Sequence, residues 1–157
     1  MTIAKGTPEE TKNLAAAKAF NGAFESKKES DFVGPLADDV EWNDFMQPES
    51  SKGKDAAKKF FGGFVKSFPD AKQDLTSSFA VGDFVIHETS FTGTQKGALG
   101  PIKATNKQVN LHGVDVIQFS KDGKVVKGWT YGNSIELVGQ LGLFRPPAPA
   151  GVKGAKK

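Results

Sequence analysis

The chain has 157 residues, no cysteine, 38% hydrophobic and 25% charged residues, and a formal net charge of +3. That length suits one folded domain, and the missing cysteines exclude disulfides, thiol nucleophiles and thiolate-bound metals. The positive charge belongs to the end of the chain: Arg145, Lys153, Lys156 and Lys157 leave 17 basic residues against 18 acidic ones, and the remaining lysines are scattered among acids, a pattern opposed to nucleic-acid binding.

No apolar run approaches the roughly 20 residues of a membrane span. The opening residues, Met1 to Pro8, lack the apolar middle region of an export signal. The reading is a cytoplasmic protein, not membrane-bound. An exported chain with its signal already removed would look the same.

In chain order, Thr7 or Thr11 can cap a first helix with Glu9 and Glu10 in its opening turn. Its apolar face carries Ala16, Ala17, Phe20, Ala23 and Phe24 at helical spacing. Ser30 can cap a short second helix with Phe32, Val33 and Leu36, made irregular by Gly34-Pro35. Val40 to Met46 reads as a strand with Val40, Trp42 and Asp44 on one side. A polar loop, Gln47 to Gly53, leads to a third helix with Ala57, Phe60, Phe61, Phe64 and Phe68 in step, which Pro69 stops. The period then changes. Lys72 to Val81, Asp83 to Gly93, Lys107 to Phe119 and Lys124 to Asn133 read as four long strands. Gly82-Asp83 and Asp122-Gly123 are tight-turn signals, and Gly93 to Asn106 is a loop able to overhang a pocket mouth. Ser134 to Leu143 can form a last short helix. Residues 1–143 are expected to be one domain and 144–157 a disordered basic tail.

Helices first and antiparallel strands afterwards give an α+β fold. The expected architecture is cone-shaped: N-terminal helices packed on a strongly curved, mainly antiparallel sheet that encloses a hydrophobic pocket.

Asp115 is the residue that points to chemistry. On one side of its strand stand Val109, Leu111, Gly113, Asp115, Ile117 and Phe119, so Asp115 is expected to face the interior. A lone buried carboxylate is costly and tends to hold a proton. A neutral acid there can donate a hydrogen bond. The alternative is a carboxylate satisfied by a structural partner such as Tyr131 or a backbone amide. Asp44 is expected on the pocket side with Trp42, or else as a loop-capping carboxylate. His87 alternates with Val85, Thr89 and Phe91, and either lines the pocket or is a hydrogen-bonded core group. His112 is expected on the convex face. Trp129, Tyr131 and Asn133 share one side of the last strand and can offer a ring, a hydroxyl and an amide. No tight cluster of metal ligands is present, so neither metal nor cofactor is expected.

Several stretches resemble a known superfamily over residues 10–143. They are Leu36-Ala37-Asp38-Asp39-Val40-Glu41-Trp42, Gly53 before the Phe-rich helix, and Phe91-Thr92-Gly93-Thr94-Gln95-Lys96-Gly97. Gly113-Val114-Asp115-Val116-Ile117-Gln118-Phe119 with Asp122-Gly123-Lys124-Val125-Val126, and Gly139-Gln140-Leu141-Gly142-Leu143, complete the pattern. Together they resemble SnoaL-like polyketide cyclases and ketosteroid isomerases, of the nuclear-transport-factor-two-like fold. The ketosteroid isomerase resemblance implies Asp44 as general base and Asp115 as a protonated hydrogen-bond donor. Phe20 stands where that family carries its oxyanion tyrosine, and Tyr131 is the candidate to replace it. Against the SnoaL-like pattern, Asn133 replaces the acid that often lies four residues after Trp129, and Gln95 replaces a histidine.

The resulting expectation is a cofactor-independent isomerase or cyclase that removes a proton next to a carbonyl of an apolar substrate. Asp44, Asp115 and Tyr131 are the catalytic candidates. Phe20, Phe24, Trp42, Met46, Phe60, Phe64, His87, Trp129 and Asn133 are the substrate-binding ones. The partners expected are a hydrophobic small molecule and a second copy of the chain. Two alternatives stand beside it: a non-catalytic binder of an apolar ligand, and a dimeric assembly module whose pocket is filled with Phe.

Overall fold

The computed structural model describes residues 6–47 and 49–144. Its elements are α1 (Pro8–Ser26), α2 (Glu29–Val33), β1 (Leu36–Asp44), β2 (Ser51–Lys52), α3 (Gly53–Ser67), β3 (Lys72–Val81), β4 (Phe84–Thr94), β5 (Gln108–Phe119), β6 (Val125–Gly132) and α4 (Ser134–Gln140). Of the tail expected over 144–157, Phe144 is described, its amide donating to the Val138 carbonyl at 3.3 Å, and the rest lies outside the described residues.

Local chemistry sets the boundaries. Thr7 caps α1 in a reciprocal box: its hydroxyl accepts from the Glu10 amide at 3.2 Å, and Glu10 Oε2 accepts from the Thr7 amide at 2.7 Å. The same Glu10 side chain accepts from the Gly82 amide at 2.8 Å, tying the start of α1 to the β3–β4 turn. Lys28, not Ser30, occupies the α2 cap position. Leu36 is not helical: beyond Pro35 the chain extends, so Leu36 opens β1. The loop read between Gln47 and Gly53 contains the two-residue strand β2. Turns β3–β4 and β5–β6 use Gly82 (φ 57) and Gly123 (φ 83), a backbone region glycine enters without strain.

The six strands form one curved sheet in the order β2-β1-β6-β5-β4-β3. All neighbours are antiparallel except β1 and β6, which run parallel. Helices on this mostly antiparallel sheet make an α+β fold.

Two apolar clusters fill the concave side. One joins Ala17, Phe20 and Ala23 of α1 to Phe32, Val33, Leu36, Val40, Phe61, Val85, Ile117, Phe119 and Val125. The other gathers Phe68, Ala71, Val109 and Leu141, with Phe64, Phe91, Leu99, Ile102, Leu111 and Leu137 against it. α4 is fastened over the second cluster by Gln140, whose amide group bonds both the N–H and the C=O of Asn110, at 2.6 and 2.7 Å. The long connection after β4 is organised by the fully buried Gln95. Its amide donates to the carbonyls of Gly97 and Lys103 and accepts from Thr105. Leu99 and Ile102 of this loop pack into the second cluster. Among the described residues no helix is long and apolar enough to cross a membrane.

Candidate functional site

The two clusters do not meet along the sheet. In β5, Val109 and Leu111 belong to one, and Ile117 and Phe119 to the other, with Gly113 and Asp115 between them. In β4, Phe91 and Val85 are likewise separated by Thr89 and His87. The register lines these gaps up. Ser78 pairs with His87, His87 with Asp115, Asp115 with Thr130, and Thr130 with Asp44. A polar row therefore crosses five strands on the concave side, bounded by apolar packing above and below.

Asp44 and Asp115 flank the same residue on this row. Thr130 Oγ1 donates to Asp115 Oδ1 at 2.6 Å and accepts from Trp42 Nε1 at 3.0 Å. Burial raises the Asp115 pKa to about 6; the Thr130 bond pulls against this, and the Asp44 charge adds to it. Burial also raises Asp44 above its ordinary value, against a bond from the Met46 amide to Asp44 Oδ1 at 2.9 Å. The loop-capping role weighed for Asp44 thus exists alongside its position on the row.

Trp42 and Met46 lie on the same side, each above a glycine of β6. A Cβ at Gly128 would overlap the Trp42 ring, and one at Gly132 would overlap Met46 Sδ. Phe20 stacks on Phe32 at 4.8 Å between centroids and tilts against Trp42 at 5.7 Å. It is a core residue beneath the row. Phe24 meets Phe61 and Phe64 edge-on or tilted, and Phe60 stacks on Phe64 while remaining 43% exposed. His87 is fully buried. Its Nδ1 pairs with Ser78 Oγ at 2.8 Å, while Nε2, near the backbone of Ala17 in α1, has no hydrogen-bond partner among the described residues. Burial lowers its pKa, so it is neutral.

Three expected site residues are elsewhere. Trp129 and Tyr131 point to the convex face, because Thr130 takes the inward position between them. Trp129 lies against Phe84 and beneath Lys127 Nζ, and Tyr131 stacks on the exposed Phe45 at 4.7 Å. Tyr131 is therefore neither the partner of Asp115 nor a donor beside it. Asn133 caps α4, its side-chain oxygen accepting from the amides of Ile135 and Glu136 at 3.1 Å. That leaves this oxygen committed to the helix end. On the same convex side, an open recess of about 330 Å³ is lined by Glu88, His112, Tyr131 and Asn133, among others. It lies across the sheet from the two acids.

Sequence reasoning passed over Thr130 and Ser78. For Thr130 a signal exists: Gly128 and Gly132 flank it at alternate positions, and strand glycines mark close approach by another group. That alternation assigns 128, 130 and 132 to the crowded inner side. Ser78 carries no comparable signal, since β3 changes register between Leu75 and Ser77.

No curated protein matches the sequence. Among solved structures, a candidate SnoaL-like polyketide cyclase of Jannaschia sp. CCS1 superposes with a TM-score of 0.81 at 15% identity, over 91% of this chain and 99% of that one. AclR, a candidate hydroxylase of Streptomyces galilaeus, gives 0.75 at 24% identity, covering 87% and 99%. A candidate polyketide cyclase of Bacillus cereus ATCC 10987 gives 0.72 at 25% identity, covering 92% and 91%. These likenesses agree with the nuclear-transport-factor-two-like fold. Residues 14–141 match the SnoaL-like polyketide cyclase family, and the chain belongs to that family.

Proposed function

We propose that the protein is a cofactor-independent isomerase or cyclase that takes a proton from the carbon next to a carbonyl in an apolar substrate. Asp44 is the base and Asp115, protonated below its pKa of about 6, the hydrogen-bond donor to the carbonyl oxygen. Asp44 then returns the proton to a different carbon, or the enolate carbon attacks a second carbonyl of the same substrate, closing the ring as that C=O π bond breaks, and the alkoxide formed takes the proton from Asp44. The observation that carries this reading is that Asp44 and Asp115 are both cross-strand neighbours of Thr130, between two apolar clusters. Burial raises both acids. A raised pKa makes Asp44 a better base and keeps Asp115 protonated longer. Trp42, Met46, Phe24, Phe60 and Phe64 would give the substrate its apolar surroundings.

The test uses 2-tetralone, an apolar bicyclic ketone, in deuterium oxide, with exchange at its acidic carbon followed by proton NMR. The wild type should accelerate exchange. Asp44→Asn should remove that acceleration with ketone affinity nearly intact. Unchanged exchange in the variant would take Asp44 out of the mechanism.

A second reading, a non-catalytic binder of an apolar ligand, is favoured by one observation. With Phe20 in the core and Tyr131 on the convex face, Asp115 has no companion donor. The same exchange experiment separates the two readings, since a binder takes up the ketone without accelerating exchange.

The convex face supports a further part of the proposal, a homodimer. Phe79, Ile86, Val116 and Trp129 form a cross-strand row on that face, and Val81 and Phe84 pair beside it. Of these, Val81 is 68% exposed and Phe79 41%. A contiguous apolar stripe on one sheet face is the kind of surface a second copy covers.

A further inference from the structure

We propose that Trp42 and Thr130 are positioning residues that hold the Asp115 proton on Oδ2, so that Asp115 meets a carbonyl or enolate oxygen as a donor. The claim rests on the reading of Asp115 as a neutral donor and adds the device that orients it.

Hydrogen-bond valence carries the argument. An indole N–H can donate and never accept. Trp42 Nε1 lies 3.0 Å from Thr130 Oγ1, so Thr130 accepts there. A threonine hydroxyl has one proton to give. Asp115 Oδ1, 2.6 Å away, is the one acceptor that hydroxyl proton has among the described residues, so the proton points there; the other arrangement would leave it unpaired. Oδ1 is thereby an acceptor and carries no proton of its own. When Asp115 is protonated, the proton sits on Oδ2. That oxygen has no hydrogen-bond partner among the described residues, and Asp115 keeps part of its surface exposed. Oδ2 is thus the carboxyl oxygen left to meet a ligand.

Neighbouring features hold the chain of donors in place. Gly128 leaves room for the Trp42 ring to lie flat on β6, and Phe20 supports the other side of the ring. The other titratable groups on the polar row are Asp44, on β1, and His87, on β4. Burial favours neutral His87, while Asp44, when ionised, helps keep Asp115 protonated; neither makes a hydrogen bond to the Asp115 carboxyl group, so neither selects which of its oxygens holds the proton.

The test compares the wild type with Trp42→Phe, Thr130→Val and Thr130→Ser by isotope-edited infrared spectroscopy. In the ligand-free arm, the Asp115 carboxylic acid band is titrated against Asp115→Asn as reference. Trp42→Phe removes the N–H that polarises the Thr130 hydroxyl, so the hydroxyl donates less strongly to the ionised carboxylate and the midpoint should move up. Thr130→Ser should leave it in place. A midpoint that stays or falls in Trp42→Phe overturns the proposal, because more water beside a smaller ring would lower it.

In the second arm, the carbonyl stretch of bound 2-tetralone is read. A red shift is expected in the wild type and in Thr130→Ser. It should be lost in Thr130→Val and Trp42→Phe, with a KM for the ketone raised about tenfold. An equal red shift in all four proteins overturns the positioning role and leaves the donor reading standing. A bound ketone with an unshifted carbonyl in the wild type overturns the donor reading itself.

Discussion

His87 and Asp115 face each other across β4 and β5, an acid opposite a base, yet no ion pair joins them. Burial drives each toward its uncharged form, lowering the histidine and raising the acid to about 6. The two therefore pull stability in opposite directions as pH changes. Asp115 has a folded pKa above its ordinary 3.8. The folded state binds the extra proton in that window, so its contribution falls as pH rises from about 4 to 6. His87 has a folded pKa below 6.5, so the unfolded state takes the proton first, and its contribution falls as pH drops below 6.5. Asp115→Asn should stabilise the protein at pH 7 by on the order of 2–3 kcal/mol. It should also remove the Asp115 share of the fall between pH 4 and 6, leaving Asp44 as the acid on the row whose contribution still falls as pH rises. Urea unfolding between pH 4 and 8 measures both. A variant less stable than the wild type at pH 7 would mean that the ionised carboxylate is well satisfied.

Gly128→Ala should disturb the seat of Trp42. The added Cβ overlaps the indole, and a ring held between Phe20 and β6 has little room to retreat. A loss of about 1–3 kcal/mol is expected. A shift of tryptophan fluorescence should accompany it. Chemical denaturation followed by fluorescence checks the two together.

Tyr131→Phe should leave 2-tetralone exchange at the wild-type rate. The hydroxyl stands on the convex side, and the stack on Phe45 needs only the ring. A tenfold fall in exchange would mean that this hydroxyl reaches the acids.

Ile86→Glu adds a charge to the middle of the apolar convex row, beside Phe79 and Val116. The side chain is 36% exposed, so the fold should survive. Light scattering coupled to gel filtration should find a dimer mass for the wild type and a monomer mass for the variant. Equal masses would remove this face as the contact.

The order of elements was legible because each rests on local rules. Thr7 and Glu10 form a capping box in sequence as in space, the Phe spacing of α3 is helical, and Gly82 and Gly123 mark turns that they do make. The side taken by Asp115 was also legible, since its alternate neighbours in β5 are apolar. β6 was misread because both of its sides look plausible from inside the strand: one offers Trp129 and Tyr131, the other Gly128, Thr130 and Gly132. Large aromatics suggest a lining, but the inward positions had to be small.

The sequence alone determined the helices, five of the six strands and an acid set on an apolar strand face, because periodicity and caps act between residues close along the chain. The tertiary structure decided which residues stand beside that acid. Thr130 reaches Asp115 through the β5–β6 register, and Asp44 joins it through a parallel pairing of strands about 90 residues apart in sequence. The burial that makes both carboxyl groups hold protons more tightly comes from those long-range contacts, and no short stretch of the chain encodes it.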